Sequence, residues 1–319
     1  MKAAVLHQFG QAPRYEDFPD PVPSEDELLV QVKAVALENI DKMMAAGSHF
    51  ASRQFLANLP AIIGFDGIGM LEDGTLIGFG GTKPPYGAMA EKTVVPKTNI
   101  VPIPAGIDAV IGAVMPTAFT ALPLTFAGKL QPGETVLING VTGAAGKAAI
   151  QVAKLLGAGR VVGTGRNSES MKRAIELGAD AVIDLKQPDK QLAAAFKRES
   201  GAGYDVVLDF VWGHPTEVFI NTLVPDKLAF GRRVRLVQIG EAAGSKISLP
   251  ADALRTSGLE IYGATAGLSP AAMADCTNQV TDWIKAGKIH FDIEQVPLQD
   301  IENIWKRTDF GGQRIVVIP

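Results

Sequence analysis

The stretch whose residue types and spacing point most directly to chemistry is Thr135 to Ala158, TVLINGVTGAAGKAAIQVAKLLGA. Thr135-Val136-Leu137-Ile138 reads as a buried strand and Lys147 to Leu156 as a helix with a broad apolar face. The glycine-rich turn between them opens straight into that helix. Such a backbone is built to take a diphosphate. Gly143 lets the main chain approach a pyrophosphate and Gly146 lets the helix pack closely on the strand. The amides of Thr142, Gly143, Ala144, Ala145 and Gly146 lie where a first helical turn supplies donors. One position departs from G-x-G-x-x-G: Val141 stands where the first glycine would be, with Gly140 one place earlier. A purely structural turn is the alternative, and the surrounding β-α context favours a nucleotide.

A second candidate group, Gly165-Arg166-Asn167-Ser168, follows the next strand. Sites selective for a ribose 2′-hydroxyl usually place a carboxylate there, about 20 residues beyond the glycines. An arginine instead suits a 2′-phosphate, and Ser168 adds a hydroxyl donor. Hydrogen bonds to charged groups contribute about 1.5–3 kcal/mol each, a preference of roughly 10- to 150-fold for NADPH over NADH. The alternative is that Arg166 is a solvated surface cation.

These residues need a scaffold. At 319 residues the chain exceeds the size of one ordinary hydrophobic core, so two domains are expected. Up to about Pro104 it carries short apolar runs cut by Pro and Gly, such as Leu28-Leu29-Val30-Gln31-Val32 and Thr93-Val94-Val95, the pattern of a β-rich domain. From Thr135 to about Gly240, strands Arg160–Gly163, Ala181–Ile183, Asp205–Leu208 and Val234–Val237 alternate with helical stretches such as Ser170 to Leu177. That alternation implies a parallel sheet covered on both faces, a doubly wound dinucleotide-binding architecture. A long helix, roughly Pro270 to Ala286, precedes a last strand, Arg314–Ile318, and this tail is expected to return to the first domain.

Composition excludes several classes. A formal charge of −4, not gathered into blocks, argues against a nucleic-acid surface, leaving small molecules and other copies of the chain as partners. The single cysteine, Cys276, permits neither an internal disulfide nor a multi-cysteine zinc site. His7 and Gln8 end the first apolar run before a signal-peptide core is complete, so a cytoplasmic protein is expected. Ala109 to Gly128 carries no charge, yet Pro116, Pro123 and three threonines argue against a bilayer span and for a buried helix passing between the domains.

Val136 to Ala158, the run Met115-Pro116-Thr117-Ala118-Phe119-Thr120-Ala121 and the opening Met1-Lys2-Ala3-Ala4 together resemble the medium-chain dehydrogenase/reductase superfamily, most closely its zinc-free quinone oxidoreductases. The resemblance covers essentially the whole chain. It implies an α/β fold with a GroES-like β-rich catalytic domain, residues 1–113 completed by 264–319, and a Rossmann domain, residues 114–263, that holds NADP(H). Zinc-dependent members place a cysteine shortly before an aspartate and a Gly-His-Glu further on. Here the matching stretches read Ala36-Leu37-Glu38-Asn39-Ile40-Asp41 and Gly64-Phe65-Asp66-Gly67, without cysteine or histidine, and the four-cysteine structural lobe is missing.

What the resemblance implies for chemistry is hydride transfer to an acceptor already electrophilic, a quinone or an α,β-unsaturated carbonyl, with side-chain or backbone donors meeting the developing oxyanion and solvent supplying the proton. Asn39 is the first candidate for a polar substrate contact. Asp41 is the second, with an equal reading as a brace of the same loop. Thr120 matches a threonine beside the nicotinamide carboxamide, or is a helix hydroxyl bonded to its own preceding turn. Phe210, Val211 and Gly240, at strand carboxyl ends, fall near the ribose and nicotinamide, although Phe210 also suits a core. Where many relatives carry a tyrosine after the aspartate, this chain has Met43, Met44, His49 and Phe50, which implies a more apolar pocket or ordinary core filling. The resemblance also implies a homodimer joined through edge strands, with Leu259–Gly263 the expected edge. The alternatives are a metal-free reductase of activated aldehydes or ketones, and a nucleotide-binding sensor or structural protein with little turnover.

Overall fold

The structure, a computed structural model, describes residues 1–49, 51–225 and 232–319. Its backbone separates into two units, Met1–Pro116 with Phe291–Pro319, and Thr117–His290.

The second unit is built on a six-stranded sheet in the order Ala181–Asp184, Arg160–Gly165, Thr135–Asn139, Val206–Asp209, Val234–Gln238, Leu259–Gly263. Every adjacent pair is parallel. The chain first winds outward from Thr135–Asn139, then returns to place Val206–Asp209 on its other side. That reversal opens a crevice at the carboxyl ends of these two strands, where doubly wound sheets bind ligands. Strands buried on both faces are mainly apolar, and Val136, Leu137, Ile138, Val206, Val207 and Leu208 are all at most 1% exposed. The helix Ala144–Leu155 can lie close on this sheet because its buried face is rich in alanine, at 148, 149 and 153. Leu259–Gly263 forms one edge, as expected.

The first unit is β-rich. A seven-stranded sheet centres on the 11-residue strand Glu27–Leu37, which pairs with Asp66–Met70, Lys92–Pro96 and Arg314–Ile318. Leu76–Gly80 and Ile100–Pro102 extend it on one side and Ile293–Pro297 on the other. A smaller sheet joins Arg14–Asp17, Lys2–Leu6 and Ala61–Ile62.

Two expectations are revised. The chain rejoins the first unit at Phe291 rather than at residue 264. The helix Pro270–Lys285 stays with the parallel sheet, burying Cys276 and Val280, and the Gln151 side chain both accepts from His290 N at 2.8 Å and donates to His290 O at 2.9 Å. The uncharged stretch is not one helix but three short ones, Ala109–Val114, Pro116–Phe119 and Pro123–Phe126. Proline lacks the amide that an uninterrupted helix requires, so each proline begins a new piece.

Candidate functional site

The glycine-rich turn shows why one expected glycine is dispensable. Gly140 makes the turn, with a φ of 104° that only glycine adopts freely. Val141 is then fully buried over Gly163, where an added Cβ would stand 2.7 Å from the valine methyls. The absent first glycine has been exchanged for a core residue, and the partner strand carries the glycine instead.

The two remaining motif glycines behave differently. A Cβ on Gly146 would lie 2.1 Å from the Gly140 carbonyl oxygen, so the helix start and strand end touch backbone to backbone. A Cβ on Gly143 would meet nothing within 4 Å among the described residues. Gly143 is exposed, extended at φ −87° and ψ 166°, and caps the helix Ala144–Leu155 without a side chain. The first-turn amides of that helix therefore face a space that a side chain would fill, beside Thr142, Ala144 and Ala145, all half-buried. The free amides and positive end of a helix N-terminus suit an anionic group such as a diphosphate.

The neighbouring loops converge on it. A Cβ on buried Gly165 would strike Thr142 Cγ2 at 2.4 Å, one on Gly140 would strike Val211 Cγ2 at 2.8 Å, and one on Gly240 would strike the Phe210 carbonyl oxygen at 2.9 Å. The structure thus brings together the turn, Gly165, Phe210, Val211 and Gly240 at adjacent strand ends. Phe210 is half-buried and Val211 buried. Arg166 and Ser168 are exposed just beyond the strand end.

Two predicted side chains are already engaged. Asn167 Oδ1 accepts from Ser170 N at 3.0 Å and so caps the helix Ser168–Glu176. Thr120 donates its hydroxyl proton to Thr117 O at 2.7 Å, the helix-hydroxyl alternative.

The polar candidates of the first unit gather at the head of the helix Asn39–Ala46. Glu38 is its N-cap, and Asp41 accepts from Glu38 N at 2.8 Å in a reciprocal capping box. Asp41 is only 4% exposed, and burial pushes its carboxyl well above the ordinary carboxylate range. Its geometry is that of the brace. Asn39, at the first helical position, is exposed. Glu38 pairs with Arg314 at 3.2 Å. Asp66, in the stretch where zinc-dependent relatives carry histidine and glutamate, is partly buried. Burial first, then the Glu38 charge, raises its pKa to about 6 against the opposing pull of Arg314. Sequence reasoning passed over Glu38 and Asp66 as contributors to this electrostatic environment. Their signal was a carboxylate in each stretch where a ligand was sought.

Met44 is 5% exposed in the core and borders, with Asp41, Phe55, Leu56 and Thr82, a cavity of about 20 Å³. That volume holds a water, so Met44 is core filling here. Phe50 lies outside the described residues. Among the described residues no three His, Cys, Asp or Glu side chains converge as metal ligands would.

The sequence model of the zinc-binding dehydrogenase family matches residues 144–286. Over the whole of both chains the protein is 26% identical to a probable NADPH-dependent quinone reductase of Emericella nidulans. It is 31% identical to the acryloyl-coenzyme A reductase of Sulfurisphaera tokodaii, over 77% of this chain and 79% of that one. Among solved structures, the quinone oxidoreductase from Thermus thermophilus, studied also as its complex with NADPH, matches with a TM-score of 0.74 at 27% identity over both whole chains. With its parallel sheet, its glycine cradle and these relatives, the chain belongs to the medium-chain dehydrogenase/reductase superfamily of oxidoreductases and is quinone oxidoreductase-like.

Proposed function

We propose that the protein is an NADPH-dependent reductase that needs no metal and transfers hydride to a quinone or an α,β-unsaturated carbonyl. The observation that carries this reading is the contrast between Gly143, open and exposed, and Gly146, closed against Gly140: one glycine leaves room for a ligand and the other serves packing. Exposed Arg166 at the end of the second strand, where 2′-hydroxyl-selective sites place a carboxylate, supports the 2′-phosphorylated cofactor. The named activities of the fungal and archaeal relatives support a quinone or a conjugated acyl acceptor.

NADPH, when bound, supplies the hydride. The amides from Thr142 to Gly146 hold its diphosphate, Arg166 and Ser168 meet the 2′-phosphate, and Phe210, Val211 and Gly240 border the nicotinamide end. Asn39 is the polar side chain offered to the acceptor oxygen, Asp41 fixes the helix that presents it, and solvent delivers the proton. The same reading makes the protein a cytoplasmic homodimer joined along the edge strand Leu259–Gly263.

The test is NADPH oxidation by the purified protein against quinones, enones and aldehydes, with NADH in parallel and a chelator present. Turnover of quinones or enones, preferring NADPH and unaffected by chelator, is expected. Turnover confined to aldehydes would move the assignment to a carbonyl reductase, and tight NADPH binding without turnover to a binding protein.

A further inference from the structure

Beneath the cofactor loops lies a polar network in which the direction of each hydrogen bond is fixed by its donor. Asp209, at the end of its strand, is fully buried. Its Oδ1 accepts from Asn139 Nδ2 at 3.0 Å and from the amides of Val211 and Trp212, both at 2.9 Å. Its Oδ2 accepts from Thr216 Oγ1 at 2.5 Å. Asn139 donates its second amide proton to Thr216 Oγ1 at 3.1 Å, while its Oδ1 accepts from Thr164 Oγ1 at 2.6 Å. Thr164 Oγ1 in turn accepts from Gly140 N at 3.0 Å. One carboxylate, taking four hydrogen bonds and donating none, is thus wired to the first residue of the diphosphate turn and to the loop after its own strand.

That loop is under strain. Trp212 has φ 52° and ψ −162°, a region that belongs to glycine, and is not glycine. The loop also supports its neighbour: Gly240 N donates to Asp209 O at 3.1 Å, and Ala243 N to Val211 O at 2.7 Å. A left-handed Trp212 with its amide turned toward Oδ1 therefore sets the path of Phe210–Gly213, against which Gly240–Gly244 rests. Residues held in such regions persist only where their surroundings over-determine them.

We propose that Asp209 is a positioning residue for the cofactor: its carboxylate holds Trp212 in a glycine-type conformation and keeps the Gly140, Phe210 and Gly240 loops in one register, so that NADPH affinity depends on it although it does not touch the nucleotide. This deepens the functional reading above and rests on it.

The experiment is calorimetric titration of NADPH into the wild type, Asp209→Asn, Trp212→Gly and the double variant, with thermal melting of each and steady-state kinetics. Losing the charged acceptor is expected to weaken NADPH binding roughly tenfold in Asp209→Asn. KM for NADPH rises with it, while KM for the acceptor stays near the wild-type value. Trp212→Gly, which makes the left-handed backbone costless, is expected to recover most of that loss in the double variant. A general loss of stability would move both KM values and would not be rescued at residue 212. If Asp209→Asn does not fold, Thr216→Val, which removes the donor to Oδ2 together with the acceptor of Asn139's second amide proton and leaves the carboxylate in place, carries the test with a smaller loss in the same direction. Unchanged NADPH affinity in the variant that folds, or no recovery in the double variant, overturns the inference. A wild-type protein that fails to bind NADPH overturns the functional reading instead.

Discussion

Gly146 and Gly140 meet so closely that a single methyl group cannot stand between them: the Cβ of an alanine at 146 would lie 2.1 Å from the Gly140 carbonyl oxygen. Three residues earlier in the turn, Gly143 looks into open space. Under the proposed function the pair separates folding from binding within one motif. Gly146→Ala is expected to destabilise the protein by about 3 kcal/mol, the upper end of ordinary overpacking, because backbone on both sides must move. Gly143→Ala, at a φ of −87°, is expected to melt as the wild type does yet to bind NADPH roughly tenfold more weakly. Urea unfolding and calorimetric binding of both variants check this. Equal binding by Gly143→Ala would remove the diphosphate from the cradle.

Arg166 is exposed at the strand end. If it pairs with a 2′-phosphate, Arg166→Ala lowers the ratio of kcat/KM for NADPH over NADH by roughly 10- to 150-fold. The NADH value itself should hardly change. A ratio that stays put assigns Arg166 to solvent and the selectivity to another residue.

Asp66 links stability to pH in an unusual direction. Its pKa is raised from 3.8 to about 6 by burial and by Glu38, so the folded chain holds this proton more tightly than the unfolded chain does. The contribution of the neutral carboxyl is present in full below about pH 4 and is lost as pH climbs through 6. Asp66→Asn stays neutral throughout. Relative to the wild type it is expected to gain stability between pH 4 and 6, reaching a plateau on the order of 2 kcal/mol above pH 7. Urea midpoints at pH 4, 5.5 and 8 measure it, and a difference independent of pH contradicts the assignment.

Lys42 ties the helix that carries Asn39 to the helix Ile301–Lys306. Its ammonium donates to Trp305 O at 3.1 Å and Arg307 O at 2.6 Å, and lies 4.5 Å from the centre of the Phe310 ring. Lys42→Met keeps the apolar stem but leaves two carbonyls at a helix end without this donor. A loss of about 2 kcal/mol is expected in chemical denaturation. An unchanged midpoint would show that water replaces the ammonium without cost.

Much of the geometry of the candidate site was legible because its signals are local. The strand, turn and helix of the glycine motif lie within 24 contiguous residues, and short apolar runs such as Val136–Ile138, bounded by turns and alternating with helices, read as strands covered on both faces. The side-chain roles were less legible. Asn39 and Asp41 sit two places apart and differ in exposure because one faces outward at the first helical turn while the other closes a capping box back onto Glu38. Asn167 and Thr120 offered the right polar atoms, but a helix N-terminus and a helix carbonyl engaged them.

Sequence alone determined the two-domain α/β architecture, the parallel order of β and α elements, and the glycine-rich turn between strand and helix, since each follows from hydrophobic period and from glycine at fixed offsets. Only the tertiary structure decided that residues 264–290 remain with the parallel sheet, that Val141 exchanges places with Gly163, and that Asn139, Thr164 and Asp209 form one network. Their partners lie 25 and 70 residues apart, and no local period records which strand end will stand beside which. The strand order settles that, through the switch point that lays Thr135–Asn139 between Arg160–Gly165 and Val206–Asp209. There a polar residue at the end of its strand (Asn139, Asp209) or one place before it (Thr164) finds its partner on the next strand, as burial away from water requires.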